Sequence, residues 1–152
     1  MIPDGFDLAI LRCLQNNARH SAELIGADIG LSTTAVQRRI RKLRDDGVIR
    51  AEVAIVNPQA VGYPLTVMVE VAFKKGLGDA IDSFRQDMQA LTEVQQCFYL
   101  SGEFDFMLIV QATDMAAHER FARAVFSTND HILKFQTTLV MDTVKQSYCL
   151  PI

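Results

Sequence analysis

The sequence predicts an α+β chain in two parts, and three features carry that expectation. A Gly-Leu-Ser turn, Gly30-Leu31-Ser32, separates two short stretches of helical periodicity, and the second of these carries a cationic run. After Asn57-Pro58 the apolar spacing changes from that of helices to the two-residue alternation of strands. Beyond Pro64 the patterns follow the order strand, helix, strand, strand, helix, strand.

Taken in chain order, Phe6, Ile10 and Leu14 recur at helical spacing and predict an amphipathic helix over about residues 4 to 16. Ser21 is placed to cap a short second helix that carries Leu24, Ile25 and Ile29. Gly30 can take the left-handed conformation that ends that helix, and Ser32 can accept the free N–H groups that begin the next. Two helices joined by so tight a turn form a helix-turn-helix, whose second member is the one that enters a DNA groove. In that helix Val36, Ile40 and Leu43 share a core face, which leaves Thr33, Thr34, Gln37, Arg38 and Arg41 outward. Arginine reads guanine with two hydrogen bonds, glutamine reads adenine, and threonine meets phosphate or a thymine methyl. Ser32 at the helix start, with Lys42 and Arg44 towards its end, completes the expected DNA-contacting set. The run Arg38, Arg39, Arg41, Lys42, Arg44 contains five cations and no acid. Such a run is usually a solvated helix face, and the preceding short helix is what favours a groove reader. The β-branched segment from Val48 to Val56, bounded by Asn57-Pro58, reads as a strand, the wing of a winged helix-turn-helix.

In the second part, Leu65, Val67, Val69, Val71 and Phe73 alternate along one predicted strand. Leu77, Ile81, Phe84, Met88 and Leu91 then define an amphipathic helix over residues 77–91. Strands are expected over 94–100 and 104–112, joined through Ser101-Gly102-Glu103. Asp114 is placed to cap a helix with Met115, His118, Phe121, Ala122 and Val125 inward, and residues 135–144 supply the last strand. This order predicts a ferredoxin-like βαββαβ domain, an antiparallel sheet with both helices on one face. The predicted organisation is a helix-turn-helix over 1–50, a strand and linker over 51–64, and the ferredoxin-like domain over 65–152. Met68, Met107 and Ile109 fall on the face opposite Val67, Leu108 and Val110, so both sheet faces carry apolar residues. Face-to-face dimerisation is therefore expected. A dimer also lets two recognition helices reach successive major grooves about 34 Å apart.

Bulk properties narrow the function classes. With 49% hydrophobic and 22% charged residues the 152-residue chain has the composition of a globular protein. Its net charge of −3 argues against a protein that coats nucleic acid. The charge is uneven, however: residues 1–60 hold eight Lys/Arg against seven Asp/Glu, the remainder seven against eleven. Cys13, Cys97 and Cys149 form no paired motif, and His20, His118 and His131 lack metal-ligand spacing, so reduced thiols and no metal or cofactor are expected. No apolar run has the length of a membrane span and the N-terminus lacks a leader pattern, which places the chain in the cytoplasm. Ser101 sits in a turn with no histidine near it in sequence, a poor start for a catalytic serine.

These residues together resemble the Lrp/AsnC family of feast/famine transcription regulators along nearly the whole chain. The resemblance rests on Asp4, Asp7, Ile10 and Leu11; on Leu14-Gln15 and Asn17-Ala18-Arg19; on Gly30 to Ser32; and on Arg39, Leu43, Gly47 to Ile49 and Asn57-Pro58. In the second half it rests on Ser101-Gly102-Glu103-Phe104-Asp105-Phe106 and on Val140 to Lys145. It implies a regulator that binds double-stranded DNA as a homodimer or a higher even-numbered oligomer such as an octamer. It also implies a small-molecule effector, an amino acid or related metabolite, bound between dimers. Carried over by position, the effector pocket draws on Tyr99, Leu100, Gly102, Asp105, Met115, Thr138, Leu139 and Val140. Within it Gly102 would admit a close ligand, Asp105 pair with an α-ammonium and Thr138 meet a carboxylate; equally, Gly102 and Asp105 can serve to shape the turn. Thr138 stands where some relatives carry an aromatic residue, so ligand preference does not transfer. The alternative is an enzyme, a tetrapyrrole (siroheme-type) decarboxylase subunit of similar architecture. The cations on the predicted recognition helix and the acidic second half weigh against it.

Overall fold

A computed structural model describes residues 2–75 and 78–152. It divides into two compact units, residues 1–55 with 145–152, and residues 56–144.

The first unit holds three helices, α1 (Gly5–Asn16), α2 (Ala22–Ile29) and α3 (Thr33–Asp45). Each begins where a side chain satisfies a free amide. Asp4 accepts from Asp7 N while Asp7 accepts from Asp4 N, a reciprocal capping box. Ser21 and Ser32 cap α2 and α3 by accepting from Leu24 N and Ala35 N. Gly30 ends α2 with φ 75°, a conformation costly for residues with a Cβ. Ile10, Leu11, Ile25, Val36, Ile40 and Leu43 form the shared core. Phe6 and Leu24 remain largely exposed.

The second unit is a four-stranded antiparallel sheet in the order β2-β3-β1-β4, with β1 Leu65–Phe73, β2 Val94–Tyr99, β3 Phe106–Ala112 and β4 Ile132–Leu139. Helices α4 (Gly78–Ala90) and α5 (Met115–Ala122), the latter continued by a wide turn over Arg123–Ser127, pack on one face. The topology is the expected ferredoxin-like one. Val67, Val69 and Val71 of β1 face Phe84 and Met88 of α4, Ala122 of α5 and Phe126, with Phe106, Leu108 and Val110 beside them on β3. Each side chain so buried contributes about 1.5–3 kcal/mol. Leu77, expected to open α4, lies outside the described residues.

Four expectations need correction. Residues 51–57 form no strand: Val53 and Ile55 are about 77–78% exposed. A β-branched segment favours extension, but a strand exists only with a ladder partner, and none is supplied here. Val48 and Ile49 instead pack against the helical core, and Ile49 N donates to Leu43 O. The last strand runs over 132–139 rather than 135–144: its ladder with β1 ends at the Val67–Leu139 pair, one further bond runs from Val140 N to Thr66 O, and residues beyond that have no ladder partner among the described residues. Met115 on α5 is exposed rather than inward. Residues 145–152, expected with the sheet, cluster with the helices. There the Gln15 amide both donates to Leu150 O and accepts from Leu150 N, and Arg12 donates to Ile152 O.

One close approach was invisible in the apolar pattern. A Cβ on Gly26 would lie 2.5 Å from Leu31 O and 3.5 Å from Val36 Cγ2. Glycine at this helical site lets the turn fold back onto α2. Alanine there would gain up to about 1 kcal/mol of helix propensity and meet a backbone clash costing about 1–3 kcal/mol. Gly26→Ala is therefore expected to lower the melting temperature. A raised melting temperature would show that the turn yields.

Candidate nucleic-acid interface and effector region

Helix α3 presents two chemically distinct faces. Val36, Ile40 and Leu43 are buried, whereas Ser32, Thr33, Thr34, Gln37, Arg38, Arg41, Lys42 and Arg44 are exposed. The five cations divide by partner. Arg39 donates to Asp4 Oδ2 and to Asp7 Oδ1, both at 2.8 Å, with its guanidinium 5.5 Å from the Phe6 ring centroid. This clamp ties the start of α1 to the middle of α3. The hydrogen bond from Asp7 N, then Arg39, holds the Asp4 carboxyl below its usual range, and the two carboxylates hold Arg39 firmly protonated. A depressed carboxyl pKa stabilises the fold above the unfolded value and is lost as pH falls through the folded one, so this clamp weakens only in acid. Arg44 pairs with Glu52 at 2.7 Å. Among the described residues, Arg38, Arg41 and Lys42 form no ion pair, so they are the cations free for phosphate or base edges. Ser32 spends its hydroxyl on the cap.

The expected effector residues do not form one cluster within the subunit. Tyr99 ends β2, its ring 5.1 Å from Phe106 and 4.4 Å from the Arg85 guanidinium. Leu100, Gly102 and Asp105 lie in the loop that follows, where Leu100 N donates to Asp105 O. Thr138 and Leu139 end β4, with Val140 beyond. Leu139 faces Val67 of β1 whereas Phe106 faces Val71. The two groups are thus about 13 Å apart along β1 and about 10 Å across it. Met115 instead lines a recess with Phe135 and Thr137.

Asp105 already has a task. Its Oδ2 accepts from Phe73 N at 2.7 Å, where the β1–β4 register shifts and that amide needs a partner, and its own N–H donates to Val71 O. Gly102 has open space where a Cβ would stand. Within the chain, therefore, neither space nor backbone conformation requires glycine there.

Two residues with structural consequence carried no distinct signal. Arg39 looked like one more cation, although Asp4 and Asp7 three apart at a helix start could have suggested its partner. His118 was expected inward and is 3% exposed, but both ring nitrogens are buried without hydrogen-bond partners. Burial pushes its pKa down, leaving a neutral ring.

Comparison with known proteins agrees with this arrangement. Residues 4–44 match the AsnC-type helix-turn-helix domain and residues 66–150 the Lrp/AsnC ligand binding domain. The chain is 42% identical over 149 residues to an uncharacterized HTH-type transcriptional regulator of Sinorhizobium fredii, covering 98% of this chain and 88% of that one. It is 33% identical over 144 residues to the leucine-responsive regulatory protein of Escherichia coli K12, covering 95% and 88%. Among solved structures, a Neisseria meningitidis transcriptional regulator in complex with L-Met superposes with a TM-score of 0.91 at 29% identity, covering 99% and 97%. An AsnC family regulator from Agrobacterium tumefaciens superposes with a TM-score of 0.90 at 30% identity, covering 98% and 97%. The named relatives are transcription regulators rather than enzymes, so the decarboxylase alternative is set aside. The chain belongs to the Lrp/AsnC family of transcription regulators.

Proposed function

We propose that the protein binds double-stranded DNA as a homodimer through α3, in the cytoplasm, and that an amino acid bound by the second unit alters this binding. The carrying observation is the division of α3. One face is spent on the core, Arg39 and Arg44 are spent on carboxylates, and Thr33, Thr34, Gln37, Arg38, Arg41 and Lys42 remain exposed. The L-Met complex of the Neisseria regulator supports an amino-acid effector. The separation of Tyr99, Leu100, Gly102 and Asp105 from Met115, Thr138, Leu139 and Val140 supports a pocket completed by another subunit, in a dimer or a higher even-numbered oligomer such as an octamer. The sheet face away from the helices, with Met68, Met107, Ile109 and the half-exposed Phe98, supports face-to-face dimerisation.

A paired measurement separates recognition from architecture. Arg38→Ala is expected to weaken operator binding in a mobility shift by about 1–3 kcal/mol at unchanged melting temperature. Arg39→Ala is expected to cost about 1–3 kcal/mol of stability, because it strands the buried Asp7; the exposed half of the pair contributes little. Unchanged operator affinity for Arg38→Ala would remove that residue from the interface.

Dimerisation is expected to reside in the sheet. Residues 56–144 alone should sediment as a dimer and residues 1–55 as a monomer at micromolar concentration; the reverse would move the interface to the helices.

Asp105→Asn keeps an oxygen for Phe73 N and loses only the charge, so the fold should persist while the effector response is lost. Calorimetric titration of both proteins with the common amino acids checks this. Equal affinities and equal operator responses would confine Asp105 to bracing the loop.

A further inference from the structure

The chain passes between the two units twice, near residues 55 and 145, and the two passages differ. The first, residues 51–57, has no secondary structure and leaves Val53 and Ile55 exposed. The second leads to a clip on α1. Gln15 Nε2 donates to Leu150 O at 3.2 Å and Gln15 Oε1 accepts from Leu150 N at 2.6 Å, so one side chain pairs with backbone as a neighbouring strand would. One turn earlier on the helix, Arg12 Nε donates to Ile152 O at 2.6 Å, and the Cys149 thiol donates to Gln15 O at 3.3 Å. Tyr148 and Leu150 are 65% and 68% exposed, so the clip is held by hydrogen bonds rather than by burying these side chains. The opposite end of α1 carries Asp4 and Asp7, which hold Arg39 of α3.

We propose that this clip fixes the direction in which α3 is presented, and with it the spacing at which two copies read DNA, so that Arg12 and Gln15 are positioning residues for recognition. The proposal rests on the reading of the protein as a dimeric DNA binder and names what sets its half-site spacing. A body tied at one point turns about three axes, whereas a second tie leaves chiefly rotation about the line that joins the two. Residues 51–55 supply the first tie and, without a ladder partner, add little stiffness to it. The passage from Val140 to Cys149 spans at most about 30 Å, and its docked end restricts the turning that the first tie allows. Within the helical unit, α1 is held near its end by residues 149–152 and at its start, through Asp4 and Asp7, by Arg39. A turn of α1 therefore carries α3 with it. Two-fold readers of this kind need their recognition helices at one separation, since half-sites lie a helical turn of DNA or a multiple apart. Neither Arg12 nor Gln15 lies on α3, so their effect falls on spacing and not on the sequence read.

The test compares the full-length protein with Gln15→Ala and Leu150→Pro. The first removes both side-chain bonds and leaves a strong helix former in α1; the second removes the Leu150 N–H and leaves α1 untouched, so the test survives if either variant folds poorly. Binding selection from a library of random duplexes reads half-site sequence and spacing, and nitrogen NMR relaxation of the deuterated protein reads the tumbling of α1–α3 against that of β1. The wild-type protein is expected to enrich paired half-sites at one spacing and to show one tumbling time for both units. Both variants are expected to enrich the same half-site sequence over several spacings, with α1–α3 tumbling at least about twofold faster than β1. A clip that only stabilises α1 would lower the melting temperature and leave the spacing alone. A single unchanged spacing in both variants, or a wild-type helical unit that already tumbles apart from β1, would overturn the proposal and leave the DNA-binding reading standing. Enrichment of no sequence by the wild-type protein would overturn both.

Discussion

Strand β1 is hydrogen-bonded on both sides, to β3 and to β4, and its alternate residues Val67, Val69 and Val71 are wholly buried. The second unit depends on this one strand. Because successive side chains point to opposite faces, a slip of one residue would send all three valines to the open face and Thr66, Met68 and Glu70 into the core. The same strand sets the ends of its neighbours. The β4 ladder with β1 ends at the Val67–Leu139 pair, and the amide left over at the Ala72/Phe73 irregularity is taken by the Asp105 side chain. A residue that resembles a ligand contact is thereby also part of the sheet's hydrogen-bond economy.

In the helical unit an electrostatic contact plays the corresponding role. Asp4 and Asp7 close the start of α1 and the same two carboxylates receive Arg39 from α3. Capping, helix orientation and the aim of the exposed face of α3 are then coupled through one guanidinium. Arg39 is only partly exposed and Asp7 nearly buried, so their attraction is screened less than that of an ordinary surface pair. Arg38 and Arg41, among the described residues, form no ion pair on the same helix, so one cationic run divides into cations held by carboxylates and cations left exposed.

The core of the second unit is largely aromatic. Phe84, Phe106 and Phe126 fill the space between sheet and helices with tilted ring contacts. His118 stands at the margin of that packing with its polarity unmet.

Much of this was legible in the chain. Helical spacing located α1 to α5, Ser21, Ser32 and Asp114 located the starts of α2, α3 and α5, and the apolar pattern located four strands, the last with displaced bounds, and the buried face of β1. These signals are local: each depends on residues within a turn or a strand of one another. Tyr99, Gly102, Asp105 and Thr138 could be named as a set but not placed, since their separation depends on sheet order rather than on spacing. Only the tertiary structure decided that residues 51–57 lack a ladder partner, that Gln15 holds the C-terminal segment, that Gly26 sits under the Leu31 carbonyl, and that His118 is buried unpaired. Each of these depends on which groups meet across the fold, and the identity of a residue says what it can bond to but not what will be there to bond it.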